Sequence, residues 1–187
     1  INKKYNMSKL YYYIPIMFLI FLFSNLEGYI FCVDNKTGKD TSVCITDIEK
    51  DLYKMIMQYR KSNNLNVIPA SKSLTIVSKY HTKDLNNYFD PEGDCNLHSW
   101  SEHGKWKDCC YSNEKAECMW KKPGEITGFK GNGYEIACYA SEGFTNAEEI
   151  LNIWKDSKQH NAVIINKGIW KDIEWKSIGL SVYKSYA

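Results

Sequence analysis

The order of the secondary-structure patterns predicts an α+β fold, arranged as a three-layer α-β-α sandwich. Two segments with a helical period come first, and an irregular segment rich in glycine and cysteine follows them. A strand, a further helix and a last strand complete the order, which is not the regular alternation of a parallel βαβ sheet. The chain has 187 residues, of which 44% are hydrophobic and 25% are charged. This balance excludes a disordered chain, a coiled coil and a collagen-like protein.

The first two helices are predicted from their caps and their apolar positions. A capping box at Thr46-Asp47-Ile48-Glu49 opens the first helix, and the polar run at residues 62–64 ends it. The second helix begins near Ser71 or Ser73 and stops before a turn that contains proline. Its apolar positions recur at helical spacing and include a histidine: Leu74, Val77, His81, Leu85 and Tyr88. His81 is therefore expected on the buried face of the second helix.

The second half of the chain is predicted to supply the strands. Tyr134–Tyr139 alternates in polarity like a short strand, and Ile178–Tyr183 has the pattern of a final strand. Between them, a second capping box at Thr145-Asn146-Ala147-Glu148 opens a helix with an apolar side. Residues 91–133 show no sustained period, and so long an irregular stretch is uncommon in a domain unless it is functional or cross-linked.

The N-terminal residues have the pattern of a secretory signal peptide. Lys9 precedes the apolar run Leu10–Phe23, and small and polar residues follow this run up to Gly28. The run is shorter than the roughly 20 residues that a transmembrane helix needs. We therefore assign residues 1–28 to upstream residues and a signal peptide, and residues 29–45 to a polar lead-in. The mature chain is expected to be secreted and to have no transmembrane segment.

The charge of the chain excludes one class of partner. The 24 lysines and arginines nearly balance the 22 aspartates and glutamates, and the small excess lies within residues 1–28. A neutral body lacks the net basic face that nucleic-acid binding requires. No nucleic-acid partner is therefore expected.

The cysteines predict disulfides. Cys32 lies close to the predicted cleavage region, and six cysteines follow it: Cys44, Cys95, Cys109, Cys110, Cys118 and Cys138. An even number of cysteines in a secreted chain favours disulfides, although sequence does not distinguish the 15 pairings that six cysteines allow. The cysteines and histidines within Cys95–Cys118 raise the alternative of structural zinc. That stretch contains no CxxC pair, which disfavours zinc.

Three polar residues are candidates for chemistry: His98, Glu135 and His160. Glu135 has apolar neighbours in a predicted strand, and a buried carboxylate needs a hydrogen-bonding partner or a proton. Imidazole is a frequent partner of this kind, and it is also the commonest metal ligand. Local hydrogen bonds within the fold are the more common role of such residues, so the residues alone leave both interpretations open.

Ordered motifs along residues 46–187 resemble the CAP superfamily, which includes cysteine-rich secretory proteins, antigen 5 and pathogenesis-related-1 proteins. Lys79–Leu85 (KYHTKDL) resembles part of its opening helices, and His98-Ser99 resembles its His-Ser pair. Gly133–Ala137 (GYEIA) is similar to the Gly-Glu-Asn element. Trp154–His160 (WKDSKQH) is similar to the W-x-x-S-x-x-H motif of the bacterial-like or protist-like branch. Several ordered motifs are more specific than any one of them alone.

The resemblance implies an α-β-α sandwich with a central cavity at which His98, Glu135 and His160 converge. In the family this cavity often holds two histidines and two acidic groups, and sometimes a divalent metal such as zinc. Ser157 stands at the position of the second glutamate, which implies a weak metal site at most. Relative to the family, Trp100–Asn132 is an insertion, which we expect disulfides to tie to the domain. The domain, residues 46–187, is expected to be truncated at its C-terminus.

The same resemblance implies a secreted binding or defence-type module whose partner is a lipid, a sterol or an extracellular protein. One alternative is a metal-assisted hydrolase or protease in which Glu135 acts as a base between His98 and His160. The other alternative is a structural secreted protein with a vestigial cavity. The fold alone does not decide among the three, because one fold can carry several functions.

Overall fold

The computed structural model describes residues 43–187. The predicted signal peptide and residues 29–42 of the predicted lead-in lie outside the described residues. The helices of the described part are α1 Asp47–Ser62, α2 Lys72–Tyr88, α3 Glu117–Trp120, α4 Lys122–Thr127, α5 Ala147–Asp156 and α6 Lys158–Ile164. Short 3₁₀ turns cover Asn113–Lys115 and Gly168–Trp170. Within residues 43–187, no helix combines the length and the apolar character needed to cross a membrane.

The longer helices begin close to the predicted caps. At the start of α1, the side chain of Thr46 accepts a hydrogen bond from the N–H of Glu49, and the carboxylate of Glu49 accepts one from the N–H of Thr46. Ser71 caps α2 through its side chain. For α5 the cap is Asn146 rather than Thr145, so the predicted capping box is one residue out of register. Local side-chain capping thus explains where all three helices start.

The predicted sheet is wrong. In the described part of the chain, extended backbone pairs in isolated bridges: Ala70 with Ile178, Trp100 with Cys109, Tyr139 with Tyr186, and Tyr183 with Tyr186. No continuous strand is present among residues 43–187. The described residues therefore form a helical fold, and the α+β three-layer α-β-α sandwich is corrected to this architecture.

The backbone groups of the two predicted strands form hydrogen bonds with a side chain and with short backbone pairings instead of with a neighbouring strand. In the segment Ile178–Tyr183, predicted as the last strand, the N–H of Val182 donates to the carboxylate of Glu49 at 3.0 Å. In the other predicted strand, Cys138 exchanges backbone hydrogen bonds with Ala187 at 2.8 and 3.1 Å. Alternating polarity is common to strands and to extended segments that pair over one or two residues, so the pattern did not separate them.

The core has two apolar clusters. The larger one lies where α1 packs against α5, and it includes side chains from α6. Its buried members on these helices are Leu52, Ile56, Met57, Ala147, Ile150, Leu151, Trp154 and Ile164. The smaller cluster joins α2 to the insertion through Val77, Trp100, Cys109 and Met119. Both clusters contribute side chains to the wall of a central cavity.

A buried ion pair connects α1 to α2. The side chain of Glu49 is fully buried, and its two oxygens lie 2.7 and 2.8 Å from Nζ of Lys79. The same carboxylate accepts hydrogen bonds from the backbone N–H groups of Thr46 and Val182. A buried charge is tolerated only when it is paired and hydrogen bonded. Glu49 therefore fixes the C-terminal segment against the first two helices.

Two disulfides cross-link the insertion and the loop before it: Cys95–Cys110 and Cys109–Cys118. The prediction of disulfides is confirmed for these four cysteines, whereas Cys138 is a buried free thiol. The insertion also contains α3 and α4, which its lack of a sustained period did not predict. Because α4 packs against α2, the insertion is part of the domain rather than an appendage.

Candidate functional site

A cavity of about 390 Å³ lies between α1, α2 and the segments 129–137 and 173–181. Apolar side chains form most of its wall, among them Ile56, Leu74, Leu85, Trp154, Ile178 and Leu180. This volume falls within the range of pockets that bury a small organic ligand. The cavity is therefore the candidate binding site within the described residues.

Glu135 lies in the wall of this cavity and contacts two histidines. Its Oε1 lies 2.8 Å from Nδ1 of His98 and 3.3 Å from Nε2 of His81. His81 belongs to α2, His98 to the loop after α2, and Glu135 to the extended segment before α5. The fold thus brings two of the three predicted site residues, His98 and Glu135, into direct contact.

His81 is held in one orientation on the buried face of α2. The residue is 3% exposed, and its ring stacks on Trp100 with ring centroids 4.3 Å apart. Nε2 lies 2.9 Å from the carbonyl oxygen of Leu97. Since a carbonyl oxygen only accepts hydrogen bonds, Nε2 carries the proton and donates it. The same N–H group faces Oε1 of Glu135.

The two histidines set the ionisation of Glu135. Burial alone raises the pKa of a carboxyl group, but the charges and hydrogen bonds of His81 and His98 outweigh burial and lower the pKa of Glu135 to about 2. For His81, burial lowers the pKa, but Glu135, the carbonyl of Leu97 and the charge of Asp84 outweigh it, so that the pKa is raised. Glu135 is therefore ionised, and the charged form of His81 is favoured.

His98 keeps its second ring nitrogen away from Glu135. Nδ1 donates to Glu135, because an ionised carboxylate only accepts hydrogen bonds. The side chain is 24% exposed, and its ring meets that of Tyr111 edge-on with centroids 5.3 Å apart. A carboxylate that fixes one imidazole nitrogen in this way orients the other for hydrogen bonding or proton transfer.

His160, the third predicted site residue, lies in the first turn of α6. Its backbone N–H donates to Oγ of Ser157, the cap of α6. Burial lowers the pKa of His160, and the charge of His98 lowers it further. Within the described residues, Nδ1 of His160 is buried without a hydrogen-bond partner. The structure therefore does not bring the side chain of His160 into the contact between His98 and Glu135, and the residues that line the cavity do not include it.

The described side chains do not fit the divalent metal that the family resemblance implies. Within residues 43–187, no three His, Cys, Asp or Glu side chains are grouped so that they could hold a metal ion. Nδ1 of His98 is directed at Glu135, and Ser157 caps α6. The site is therefore a carboxylate held by two imidazoles rather than a metal centre.

Two residues of the cavity wall are not assigned to the site by the sequence pattern. The helical period places His81 on an apolar face. Since a buried imidazole requires a hydrogen-bonding partner, this position in the sequence already indicates that His81 contacts another polar group. Lys122 is only 2% exposed; its Nζ lies 2.7 Å from Glu125 and 5.7 Å from the ring centroid of Trp100. Lys121 precedes it in the sequence, and nothing in that pair of lysines indicates which one is buried.

Comparison with known proteins identifies no relative. Neither a protein-family model, nor a curated protein, nor a solved structure matches this chain. The resemblance to the CAP superfamily stays a prediction, and function has to be inferred from the geometry of the cavity.

Proposed function

We propose that this protein is a secreted module that binds a small, mainly apolar ligand in its cavity. The observation that carries the proposal is the cavity itself, with a volume of about 390 Å³ and a wall built mostly from apolar side chains. Transfer of apolar ligand surface from water into such a cavity is favourable in proportion to the area buried. A sterol or another lipid with one polar group meets this description.

Glu135 gives the cavity a polar contact for such a ligand. Its side chain is 22% exposed, and the two histidines already hold it in place, so that binding does not have to order it. An ionised carboxylate only accepts hydrogen bonds, and an ionised ligand carboxylate has no proton to donate to it. We therefore expect a ligand hydroxyl, which can donate, to be preferred over a ligand carboxylate.

The cysteines and the N-terminal pattern support secretion. Disulfides form and persist in oxidising compartments, and the described residues contain two of them. The signal-peptide pattern over residues 1–28 is an independent argument in the same direction.

Catalysis is the weaker candidate, because no serine, threonine or cysteine among the described residues hydrogen bonds to the pair of Glu135 and His98. In acyl transfer an oriented imidazole activates a serine, threonine or cysteine. In the described part of the chain, the hydrogen bonds of the His98 ring and N–H go to Glu135 and Asn96. For the metal-assisted hydrolase, residues 43–187 contain no group of three side chains that could hold the metal. The probe titration described next distinguishes the binding module from a structural protein with a vestigial cavity.

Titration with a fluorescent apolar probe tests the proposal. The purified full chain should bind N-phenyl-1-naphthylamine at one saturable site, and a long-chain alcohol should displace the probe. Ser78 lines the cavity from α2, and we expect Ser78→Trp to fill part of it and to weaken binding by about tenfold or more. Ser62→Trp makes the same change at the exposed end of α1 and is the matched control.

Both variants should retain the helical circular dichroism of the unmodified protein. If the unmodified protein shows no saturable binding, the proposal fails and the structural alternative is favoured. If Ser78→Trp binds the probe as tightly as Ser62→Trp does, the probe binds outside the cavity and the proposal fails as well.

A further inference from the structure

The segment of residues 167–176, called the Ile169 loop below, exposes apolar side chains beside the cavity. Ile169 is 85% exposed and Ile173 is 37% exposed, whereas isoleucine is among the residues most often buried. Ile169 stands in the 3₁₀ turn Gly168–Trp170. Gly168 has a φ of +61°, a backbone conformation that favours glycine.

Hydrogen bonds hold the Ile169 loop in shape. The side-chain amide of Asn166 donates to the carbonyl oxygens of Trp170 and Ile173 at 3.2 and 2.6 Å. The Oδ1 atom of Asn166 accepts a hydrogen bond from the buried guanidinium of Arg60 at 2.8 Å. The exposure of Ile169 is therefore built into the fold and is not the result of a loosely held loop.

Aromatic rings connect the Ile169 loop to the cavity. Trp170 and Trp175 each pack against Tyr134, with ring centroids 5.3 and 5.7 Å apart. Tyr134, Trp175 and Ile173 also line the cavity. Since Tyr134 and Ile173 are both exposed to solvent, they mark the mouth of the cavity. The apolar patch is thus continuous with the cavity wall.

The Ile169 loop also carries three lysines. Lys167, Lys171 and Lys176 belong to the loop, together with Asp172 and Glu174. The ion pairs of Lys171 with Asp172 and of Lys176 with Glu174 join side chains that are at least 73% exposed. Exposed ion pairs of this kind contribute little. Both ammonium groups can therefore meet a second anion, and the loop has a small excess of positive charge.

We propose that the Ile169 loop docks the domain onto an anionic lipid surface. Ile169 enters the boundary between headgroups and acyl chains, the tryptophan rings lie at headgroup level, and the lysines meet lipid phosphates. Continuity with the cavity wall favours a lipid surface over a second copy of the chain, because an apolar ligand then passes from the bilayer to the cavity without crossing water. The choice of a lipid surface as the partner rests on the proposed function, whereas the docking itself does not require an occupied cavity.

Co-sedimentation of the full chain with vesicles tests the docking surface. The vesicles are phosphatidylcholine alone, or phosphatidylcholine with phosphatidylserine. Ile169→Asp should weaken binding to both by about tenfold or more, because the inserted apolar side chain is lost. Lys171→Gln should weaken binding to the anionic vesicles by about fivefold and leave the neutral vesicles unaffected. Ile153→Asp, at a 38% exposed position of α5, is the matched control.

All variants keep the same N-terminal residues, so differences between them report on the loop. Hydrogen exchange should show protection of residues 167–176 when the anionic vesicles bind. Equal vesicle binding by Ile169→Asp and Ile153→Asp overturns the proposal, as does protection confined to other segments. Self-association that Ile169→Asp abolishes, without vesicle binding, also overturns it and identifies a second copy as the partner.

The probe titration keeps the two proposals separable. Ile169→Asp should still bind N-phenyl-1-naphthylamine as the unmodified protein does, because Ile169 does not line the cavity. Failure of vesicle binding with intact probe binding overturns the docking surface alone. Vesicle binding without probe binding overturns the proposed function alone.

Discussion

His98 and Glu135 are 37 residues apart in sequence, yet Nδ1 of one lies 2.8 Å from Oε1 of the other. His81 makes a second contact with the same oxygen at 3.3 Å. The carboxylate therefore joins α2, the loop that follows it and the extended segment in the cavity wall. Removal of the Glu135 carboxylate should therefore lower the stability of the domain and also make the cavity less polar.

The first prediction concerns the pH dependence of stability. The pKa of Glu135 is lowered to about 2, so its contribution is complete above the ordinary value of 4.5 and is lost as pH falls from there toward 2. The pKa of His81 is raised, so its contribution is complete below the ordinary value of 6.5 and is lost as pH rises through the raised value. The contribution of this pair to the free energy of unfolding should be largest between those two ordinary values.

Urea unfolding at pH 3, 5.5 and 8 checks this dependence. At pH 5.5, Glu135→Gln should lower the free energy of unfolding by about 2 kcal/mol, because a charged hydrogen-bonding partner of two buried or half-buried imidazoles is lost. The variant should also show a flatter pH profile. His103→Gln changes an exposed histidine and serves as the control. A profile for Glu135→Gln as steep as that of the unmodified protein would contradict this account of the pair.

The second prediction concerns Arg60, the single arginine of the chain. Its guanidinium donates to the carbonyl oxygens of Asn66 and Ile164 and to Oδ1 of Asn166, at distances between 2.6 and 3.0 Å. Lysine keeps the charge but does not reproduce this fork of donors. Arg60→Lys should lower the free energy of unfolding by about 3 kcal/mol.

The exposed neighbour of Arg60 provides the control for that measurement. Lys61→Arg should leave stability within about 0.5 kcal/mol, as is usual for surface substitutions. Arg60→Lys should also speed hydrogen exchange within the Ile169 loop, which Asn166 connects to the guanidinium. Equal stability of the two variants would show that the fork of hydrogen bonds contributes nothing measurable.

The third prediction concerns the cysteines. Peptide mapping without reduction should recover the pairs Cys95–Cys110 and Cys109–Cys118. Burial raises the pKa of the Cys138 thiol to about 12, so Cys138 should resist alkylation in the folded protein and react on unfolding. Replacing both members of the Cys95–Cys110 pair by serine should cost about 3 kcal/mol in the chain-entropy model. A different pairing, or rapid alkylation of Cys138 at neutral pH, would contradict the structure.

Local signals explain which parts of the fold could be predicted. The sequence predicts α1, α2 and α5, because capping and helical periodicity depend on residues that are close together in the chain. The sheet was wrong because the partner of an extended segment is decided by distant residues. Val182 illustrates this, since its N–H binds the side chain of Glu49, 133 positions away, instead of a neighbouring strand.

The site was predicted in part for a similar reason. The ordered motifs point to His98 and Glu135, which are in contact, and to His160, whose side chain is not part of that contact. His81 completes the arrangement, because α2 directs its ring toward the same carboxylate. The sequence pattern places His81 among apolar residues and does not identify Glu135 as its partner. The size of the cavity depends on how α1, α2 and two irregular segments pack together, which no local pattern encodes.

Isothermal titration of the full chain with 1-octanol tests the central claim of an apolar ligand cavity most directly. We predict saturable binding of one alcohol molecule per chain, with a negative heat-capacity change because apolar surface leaves water on binding. Octanoate should bind more weakly than the alcohol, because its ionised carboxylate has no proton to donate to Glu135, and Ser78→Trp should weaken the binding of both by about tenfold or more. Absence of saturable heat with 1-octanol, or binding that Ser78→Trp leaves unchanged, would contradict the claim.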